Sequence, residues 1–480
     1  MRSEASLNIK TSKNKPHILL VVARGEAVRN FLYSDMLPVL HQHARVTLLT
    51  LVDHGEVIDR VKPYVDRIIP LKEYRERKFV TALRYFVHTA HYRWLWSENA
   101  KHMWALHRAR AVTPLLKIRR VILEAFSNLF AHRNTLALLT RVSNWLTWQF
   151  RPTRDFDALF RDLAPDLIFN CSHIHGPQAD LPMLIAHKMN FATAAFIFSW
   201  DNLTTRSRIF VPYNYYLMWN DGMKSLLLKQ YAQIRSDQVI VTGTPQFDFH
   251  FKMDSILTRD ELGKKIGFDP ARPFLLYTTG MDTDFLDEHK FILEVIRIIR
   301  ELKIEPKPQL VVRTYIKGTS PEIIALSKEK IPDVYFPPVL WDKQWIMPLR
   351  EDLSIYSSLL HHCAMGINPA STVTLELMML DKPVINIGME PPGSNLPAWE
   401  KFSRHVDYEH YRPVAESGGV MVARSISDLE KMIYRGLTQP SAQSEKREAF
   451  MTSMMDGTLD GRSGERVAKE LVRLARMNHP

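Results

Sequence analysis

The chain has 480 residues, a net charge of +11 and a hydrophobic content of 46%, which predict two or more globular domains with ample cores. Its two cysteines, Cys171 and Cys363, exclude a disulfide framework, and no apolar run approaches the ~18 residues of a membrane-spanning helix. Residues 1–15 lack the apolar stretch of a secretory signal, so we expect a cytoplasmic protein.

Apolar runs and helical patterns alternate along the first half of the chain. Strands are predicted at residues 17–22, 46–50, 68–70, 166–170, 193–198, 215–219 and 239–241. Helices are predicted up to Leu40, over residues 178–188 and from Asp221. This alternation indicates a parallel sheet with right-handed crossovers.

A basic helical segment, residues 71–150, interrupts this pattern. It holds fourteen Lys or Arg residues against four Glu and no Asp, and five of the ten tryptophans. Such a segment suits an anionic membrane surface, because Trp favours the interface and Arg the headgroups. A solvated basic face is the plain alternative, and nucleic acid fits by charge alone. Since no nucleic-acid-binding motif is present, we expect no nucleic acid partner.

A second alternation follows the Gly- and Pro-containing stretch at 242–248. Strands are predicted at residues 274–277, 309–313 and 384–387, and helices at 285–302, 353–361, 429–437 and 462–477. The fold class is therefore α/β, with two doubly wound, Rossmann-like domains that face a cleft. We predict domains at residues 1–245 and 246–445 and a helical segment at 446–480.

The stretch 368–387 carries the most specific local signal. Ser371 or Thr372 suits a helix N-cap, and Glu376 lies about one turn into the predicted helix. A helix N-terminus binds anions, and a carboxylate one turn further accepts hydrogen bonds from sugar hydroxyls. An ordinary capped helix explains the same pattern equally well.

Three stretches resemble one superfamily of enzymes. Residues 241–248 (VTGTPQFD) resemble the interdomain stretch of GT-B-fold glycosyltransferases and of UDP-N-acetylglucosamine 2-epimerases. Residues 371–376, followed by 382–385 (KPVI), resemble the nucleotide-sugar motif of that superfamily, which includes CDP-glycerol glycerophosphotransferases. Residues 199–204 (SWDNLT) resemble a loop of bacterial surface-polysaccharide transferases.

The resemblance implies a GT-B-like fold that holds a nucleotide mainly in the second domain. Carried over by position, the donor-side residues are Thr279, Gly280, Arg313, Ser371, Thr372 and Glu376. The diphosphate would lie near all of these except Glu376, which would hold the ribose hydroxyls. Thr314 and Tyr315 stand where relatives often carry His-Pro, which weakens the glycerophosphotransferase interpretation.

A catalytic base is expected on the first domain, across the cleft from the donor. Asp201, His173 and His175 follow predicted strands at their carboxyl ends, and Glu26 follows the first strand. Asp201 is the first candidate, although each of the four suits a structural or substrate-orienting role better than that of the base. Gly25 is expected to let a substrate approach closely.

Two D-x-D sequences, at 155–157 and 282–284, suit exposed helix starts better than metal sites, so no metal or other cofactor is expected.

The resemblance implies a glycosyltransferase that moves a sugar from a nucleotide-sugar donor to an acceptor. We interpret the acceptor as lipid-linked, because the basic segment suits a membrane surface. The setting would be synthesis of a bacterial surface polysaccharide or glycolipid at the inner membrane face. The alternatives are a glycerophosphotransferase, a nucleotide-sugar 2-epimerase and a catalytically silent scaffold.

Overall fold

A computed structural model describes residues 15–173, 177–206 and 208–479. The first domain contains a seven-stranded parallel sheet of order β3-β2-β1-β4-β5-β6-β7. Its strands are β1 (His17–Val22), β2 (Arg45–Thr50), β3 (Arg67–Pro70), β4 (Leu167–His173), β5 (Thr193–Ile197), β6 (Tyr215–Met218) and β7 (Val239–Val241). β1 is buried along its whole length because it lies between β2 and β4, which explains its uninterrupted apolar run.

The helices of the first domain include a four-helix insertion between β3 and β4. The helices are α1 (Met36–His43), α2 (Gly55–Val61), α3 (Lys78–Leu95), α4 (Glu98–Ala109), α5 (Pro114–Phe130), α6 (Arg133–Gln149), α7 (Asp155–Leu163), α8 (Asp180–Lys188), α9 (Asn202–Thr205) and α10 (Asp221–Gln230). The insertion, α3 to α6, packs Val87, Ala90 and Leu136 against Phe210 of the rest of the first domain in a small apolar cluster.

The second domain contains a six-stranded parallel sheet of order β10-β9-β8-β13-β14-β15 and a separate hairpin of β11 and β12. The strands are β8 (Phe274–Thr278), β9 (Gln309–Arg313), β10 (Val334–Tyr335), β11 (Trp341–Asp342), β12 (Met347–Pro348), β13 (Met365–Asn368), β14 (Val384–Ile387) and β15 (Met421–Ala423). The helices are α11 (Arg259–Ile266), α12 (His289–Glu301), α13 (Pro321–Lys328), α14 (Arg350–His362), α15 (Val373–Met379), α16 (Ser403–Asp407), α17 (Arg412–Ala415), α18 (Ile426–Thr438), α19 (Ser444–Met455) and α20 (Ser463–Asn478).

The last helix, α20, returns to the first domain and packs against α1, β1 and β4. Asp248 of the interdomain stretch fixes its start, because the buried carboxylate accepts hydrogen bonds from the backbone N–H groups of Ser463 (3.1 Å) and Gly464 (2.7 Å). Gly243 has a φ of +74°, and a Cβ there would lie 2.6 Å from Ser463 Oγ. The glycine and the aspartate therefore join the linker to the start of α20.

Two local predictions differ from the structure. The helix expected to begin at residue 285 begins at His289, because Asp287 adopts a left-handed φ of +63° that no helix accommodates. Thr372 occupies the N-cap position of α15, but within the described residues its hydroxyl does not cap the helix. The Thr372 hydroxyl instead accepts a hydrogen bond from Trp200 Nε1 at 3.2 Å.

Candidate active site in the interdomain cleft

The two sheets present their carboxyl-end loops to one cleft, and the domains touch across it. Trp200 Nε1 of the first domain donates to Thr372 Oγ1 of the second at 3.2 Å. Glu26 of the first domain accepts from Lys317 Nζ of the second at 2.5 Å. Parallel α/β sheets bind ligands at the carboxyl ends of their strands, so this cleft is the candidate site.

Glu376 is the central acidic group on the second domain's side of the cleft. It is 1% exposed, and its carboxylate accepts hydrogen bonds from the Tyr356 hydroxyl and from Gln246 Nε2 at 3.4 Å. His250 Nε2 lies 3.7 Å from Glu376 Oε1, too far for a hydrogen bond but close enough for charge interaction. Burial alone would raise the pKa of Glu376, but His250, Arg29 and Tyr356 lower it more, so the carboxylate stays ionised.

The turn before α15 is built on a buried polar network. Asn368 Oδ1 accepts from Ser371 Oγ (3.3 Å), Thr374 Oγ1 (3.0 Å) and Asn386 Nδ2 (3.1 Å). The Tyr411 hydroxyl donates to this network at 2.8 Å. Because these bonds hold residues 368–374 in one conformation, they place Ser371 and Thr372 at the cleft; Asn368, Thr374 and Asn386 belong to the stretch 368–387, and Tyr411 joins it from outside.

Thr279 and Gly280 form the turn after β8, as the sequence predicts. Thr279 Oγ1 accepts from the Tyr315 backbone N–H at 2.9 Å. The Gly280 N–H donates to the carboxyl of Glu288 (3.0 and 3.1 Å), and burial raises the pKa of Glu288 to about 8. A Cβ at Gly280 would lie 1.9 Å from the Phe285 ring, so only glycine fits this turn. The structure therefore places a protonated acid beside the predicted diphosphate turn.

Arg313 ends β9 but its guanidinium is engaged inside the protein. It donates to both oxygens of Asp352 at 2.7 and 2.6 Å and to the Pro338 carbonyl at 2.9 Å. Asp352 also accepts from Trp341 Nε1 at 2.8 Å. In this arrangement Arg313 fixes the β11–β12 segment to α14, and its role toward phosphate stays a prediction.

Asp201 lies on the loop after β5, next to the second domain. Its carboxylate accepts from Thr205 Oγ1 at 2.8 Å. Burial would raise the pKa of Asp201, but His410 of the second domain, the Ser199 and Thr205 hydrogen bonds and Arg206 lower it more. Thr204 Oγ1 lies 3.2 Å from His410 Nδ1, so the whole loop contacts the far side of the cleft.

The other predicted bases are placed differently. His173 is buried at the end of β4, with Nδ1 3.0 Å from the Tyr213 hydroxyl, and belongs to a packed network with Asn170. Glu26 is held in ion pairs with Arg24 (2.9 Å) and Lys317, which leaves its carboxylate engaged in this conformation. His175 lies outside the described residues.

Gly25 is approached closely, but by protein rather than by an open pocket. Its N–H donates to the Trp345 carbonyl at 3.1 Å, and a Cβ at Gly25 would lie 2.2 Å from the same oxygen. The β11–β12 hairpin of the second domain thus rests on the loop after β1, and the glycine permits that contact.

Sequence reasoning missed several groups of the site. Gln246 lies in the interdomain motif and His250 just beyond it, but no sequence pattern predicts that either lies beside Glu376. Tyr356 and Asp352 lie on one helix, and Arg29 follows the first strand at a distance that no local pattern reveals.

In the described part of the chain, no group of three or more His, Cys, Asp or Glu side chains is arranged to hold a metal ion. None of the described helices is long and apolar enough to cross a bilayer.

Comparison with known proteins identifies the fold. No protein-family model matches the chain, and no curated protein is significantly similar to it. Solved UDP-N-acetylglucosamine 2-epimerases match over nearly the whole length. The enzyme of Neisseria meningitidis, solved with bound UDP-GlcNAc, is 12% identical over 95% of this chain and 100% of its own, with a TM-score of 0.52. That of Methanocaldococcus jannaschii is 11% identical over 96% and 99%, with a TM-score of 0.52. The expected GT-B-like fold is thereby confirmed.

Proposed function

We propose that this protein is a nucleotide-sugar-dependent glycosyltransferase that acts at the cleft between its two sheets. The observation that carries the proposal is the hydrogen bond between Trp200 and Thr372. It places the loop of Asp201, the favoured base, against the turn predicted to bind the donor's diphosphate. Donor and acceptor groups of a transfer reaction must meet at such a point.

The donor is proposed to lie against the second domain. In this proposal, ribose hydroxyls replace the Gln246 amide and the Tyr356 hydroxyl as hydrogen-bond donors to Glu376. A carboxylate that stays ionised when buried is a strong acceptor for two hydroxyls. Arg29 of the first domain, whose charge already lowers the pKa of Glu376, would supply a cation beside the bound nucleotide. Solved relatives of this fold with UDP or UDP-GlcNAc support a uridine nucleotide as the first candidate.

The acceptor is proposed to enter from the side of the insertion, and to be a saccharide on a lipid carrier used for surface polysaccharide or glycolipid. Tyr92 of α3 and Asn99 of α4 donate to the Thr205 carbonyl at 3.3 and 3.4 Å, so the insertion supports the Asp201 loop. Asp201, ionised at neutral pH, would accept the proton of the attacking hydroxyl. In this proposal the protein works in the cytoplasm, peripheral to the inner membrane face.

A second candidate is a nucleotide-sugar 2-epimerase, because the matching structures described above are those of UDP-N-acetylglucosamine 2-epimerases. The two reactions differ in what they consume. An epimerase converts its nucleotide sugar without an acceptor, whereas a transferase releases free nucleotide only when an acceptor or water takes the sugar.

The first test is a thermal-shift screen with UDP, GDP, CDP, ADP and TDP. A ligand that binds only the folded protein raises its melting temperature, and one nucleotide is expected to do so. Glu376→Gln should lose most of that shift, while Glu301→Gln, on the exposed end of α12, should keep it. CDP alone would favour the glycerophosphotransferase, and no shift with any nucleotide would favour the silent scaffold.

The second test separates chemistry from binding. NMR spectroscopy of the preferred nucleotide sugar, with and without membrane extract as acceptor, distinguishes transfer from 2-epimerisation. Asp201→Asn should keep the nucleotide-induced thermal shift and lower turnover by about 100-fold or more, since general-base catalysis contributes 10²–10⁴-fold. Unchanged turnover would remove Asp201 from the role of base.

A further inference from the structure

Helix α5 of the insertion is oriented with its polar side inward. Its buried side chains are Arg120, Glu124 and Ser127, which are 7%, 5% and 0% exposed. Surface helices of globular proteins normally bury their apolar stripe and expose the polar one. α5 does the reverse, so its apolar stripe needs a partner outside the described chain.

Ion pairs hold the polar side of α5 in place. Glu124 accepts from Arg120 Nε at 2.6 Å and from Arg108 Nη2 of α4 at 2.5 Å. The Arg120 guanidinium lies 4.9 Å from the centre of the Trp104 ring. Because both arginines lower the pKa of Glu124 against the opposing effect of burial, the carboxylate stays charged and the orientation of the helix is fixed.

The outward side of α5 is an uninterrupted apolar face. Its members recur at a spacing of three or four residues, which places them along one side of a helix. The six larger side chains are each between 51% and 67% exposed: Leu115, Ile118, Val121, Ile122, Phe126 and Leu129. An open groove of about 470 Å³ adjoins them, lined by Phe86 of α3, by apolar side chains of α5 and by Arg119. We call these six residues the α5 face.

We propose that the α5 face inserts into the interfacial region of a bilayer that contains anionic phospholipid. Exposed Lys117 and Arg119 flank the face, and residues 71–150 as a whole carry fourteen Lys or Arg against four Glu. An apolar stripe flanked by cations is the arrangement of helices that lie in the membrane interface. The excess of positive charge disfavours a second copy at this face, and aliphatic side chains do not suit nucleic acid.

Vesicle co-sedimentation tests this surface without nucleotide or acceptor, so its outcome is independent of the reaction proposed above. The full-length protein should bind phosphatidylglycerol-containing vesicles and bind phosphatidylcholine vesicles more weakly. Ile118→Ser/Ile122→Ser/Leu129→Ser should weaken binding about tenfold or more, because the inserted apolar area is lost. The matched control is Leu293→Ser/Ile324→Ser/Tyr434→Ser, which removes exposed apolar groups of the second domain and should bind like the unaltered protein.

Two further measurements sharpen the test. Lys117→Gln/Arg119→Gln should weaken binding to the anionic vesicles by about fivefold per charge removed. Cys171 and Cys363 are buried, and burial raises the pKa of both thiols, so a polarity-sensitive dye would label an introduced Ile122→Cys selectively. That dye should shift to the blue on adding anionic vesicles, whereas a dye on Leu293→Cys should not.

Three results would overturn the proposal. The unaltered protein would fail to bind either vesicle, or the α5-face triple variant would bind as well as the control. Alternatively, light scattering would show that the unaltered protein is a dimer that binds no vesicles, and that the α5-face triple variant is a monomer. That result would assign the face to a second copy. Equal melting temperatures of the two triple variants would show that the substitutions leave the fold intact.

Discussion

The buried carboxyl of Glu288 makes the stability of this protein depend on pH in an unusual direction. Burial raises the pKa of Glu288 to about 8 from an ordinary value of 4.5, although the Gly280 N–H and the Tyr277 hydroxyl oppose that rise. The folded protein therefore holds a proton that the unfolded chain has released at neutral pH. Such a group stabilises the fold fully at low pH, and its contribution is lost as the pH rises from about 4.5 to about 8.

The size of the effect follows from the two pKa values. A difference of about 3.5 pH units, at about 1.4 kcal/mol per unit, amounts to about 5 kcal/mol of unfolding free energy. Glu288→Gln should abolish this dependence, because the amide is neutral at every pH and keeps an oxygen that accepts from Gly280. Between about pH 4 and pH 9, the unfolding free energy of Glu288→Gln should therefore rise by about 5 kcal/mol relative to that of the unaltered protein.

Urea unfolding at a series of pH values measures this difference. Comparing the unaltered protein with Glu288→Gln cancels the titration of all other groups, and Glu329→Gln, at an exposed position of the same domain, serves as the control. Parallel pH profiles for the unaltered protein and Glu288→Gln would refute the reasoning, since the carboxyl would then ionise as freely in the folded protein as in the unfolded chain.

Two further predictions concern contacts between the domains. Asp248→Ala should destabilise the protein by about 2–4 kcal/mol in thermal or urea unfolding, because two buried N–H groups at the start of α20 lose their acceptor. Asp248→Asn keeps one acceptor oxygen and should cost less. Equal losses of stability in the two variants would contradict this account. Gly25→Ala should push the β11–β12 hairpin off the first domain and speed hydrogen exchange in the hairpin. Gly55→Ala, whose Cβ meets nothing within 4 Å, should leave that exchange unchanged. Unchanged exchange in Gly25→Ala would show that the contact is dispensable.

Much of the fold could be predicted because its central strands are continuous apolar runs. β1 and β9 begin and end at the predicted residues, since strands buried on both faces contain few polar positions. The short strands β13 (MGIN) and β15 (MVA) were missed, whereas the equally short β7 (VIV) and β14 (VINI) were predicted, because the latter consist almost entirely of β-branched residues. α13 was missed as well, whereas most of α19 lies within the helical segment predicted at 446–480.

The candidate site was predictable only as far as local motifs reach. The stretch around Glu376 was recognised, but its partner Tyr356 comes from another helix and Gln246 from the interdomain stretch. Arg313 was expected to face phosphate, and only the folded chain shows the carboxylate of Asp352 beside it. Pairings between distant residues follow from tertiary packing, which no spacing along the sequence encodes.

The insertion shows a different limit. Its basic charge was evident, but the orientation of α5 depends on whether Glu124 meets Arg108 of the neighbouring helix. A helical pattern shows that two faces differ and leaves open which of them turns inward.

The return of α20 to the first sheet has a consequence for how the protein is made. This helix covers β1 and β4, yet its residues are among the last of the 480 to leave the ribosome. Until then, part of the first sheet stays uncovered while the whole second domain is being synthesised. A fragment that stops at residue 245 would keep that apolar surface permanently exposed, so a stable version of the first domain requires residues 463–478 to be supplied, joined to it or added as a separate peptide.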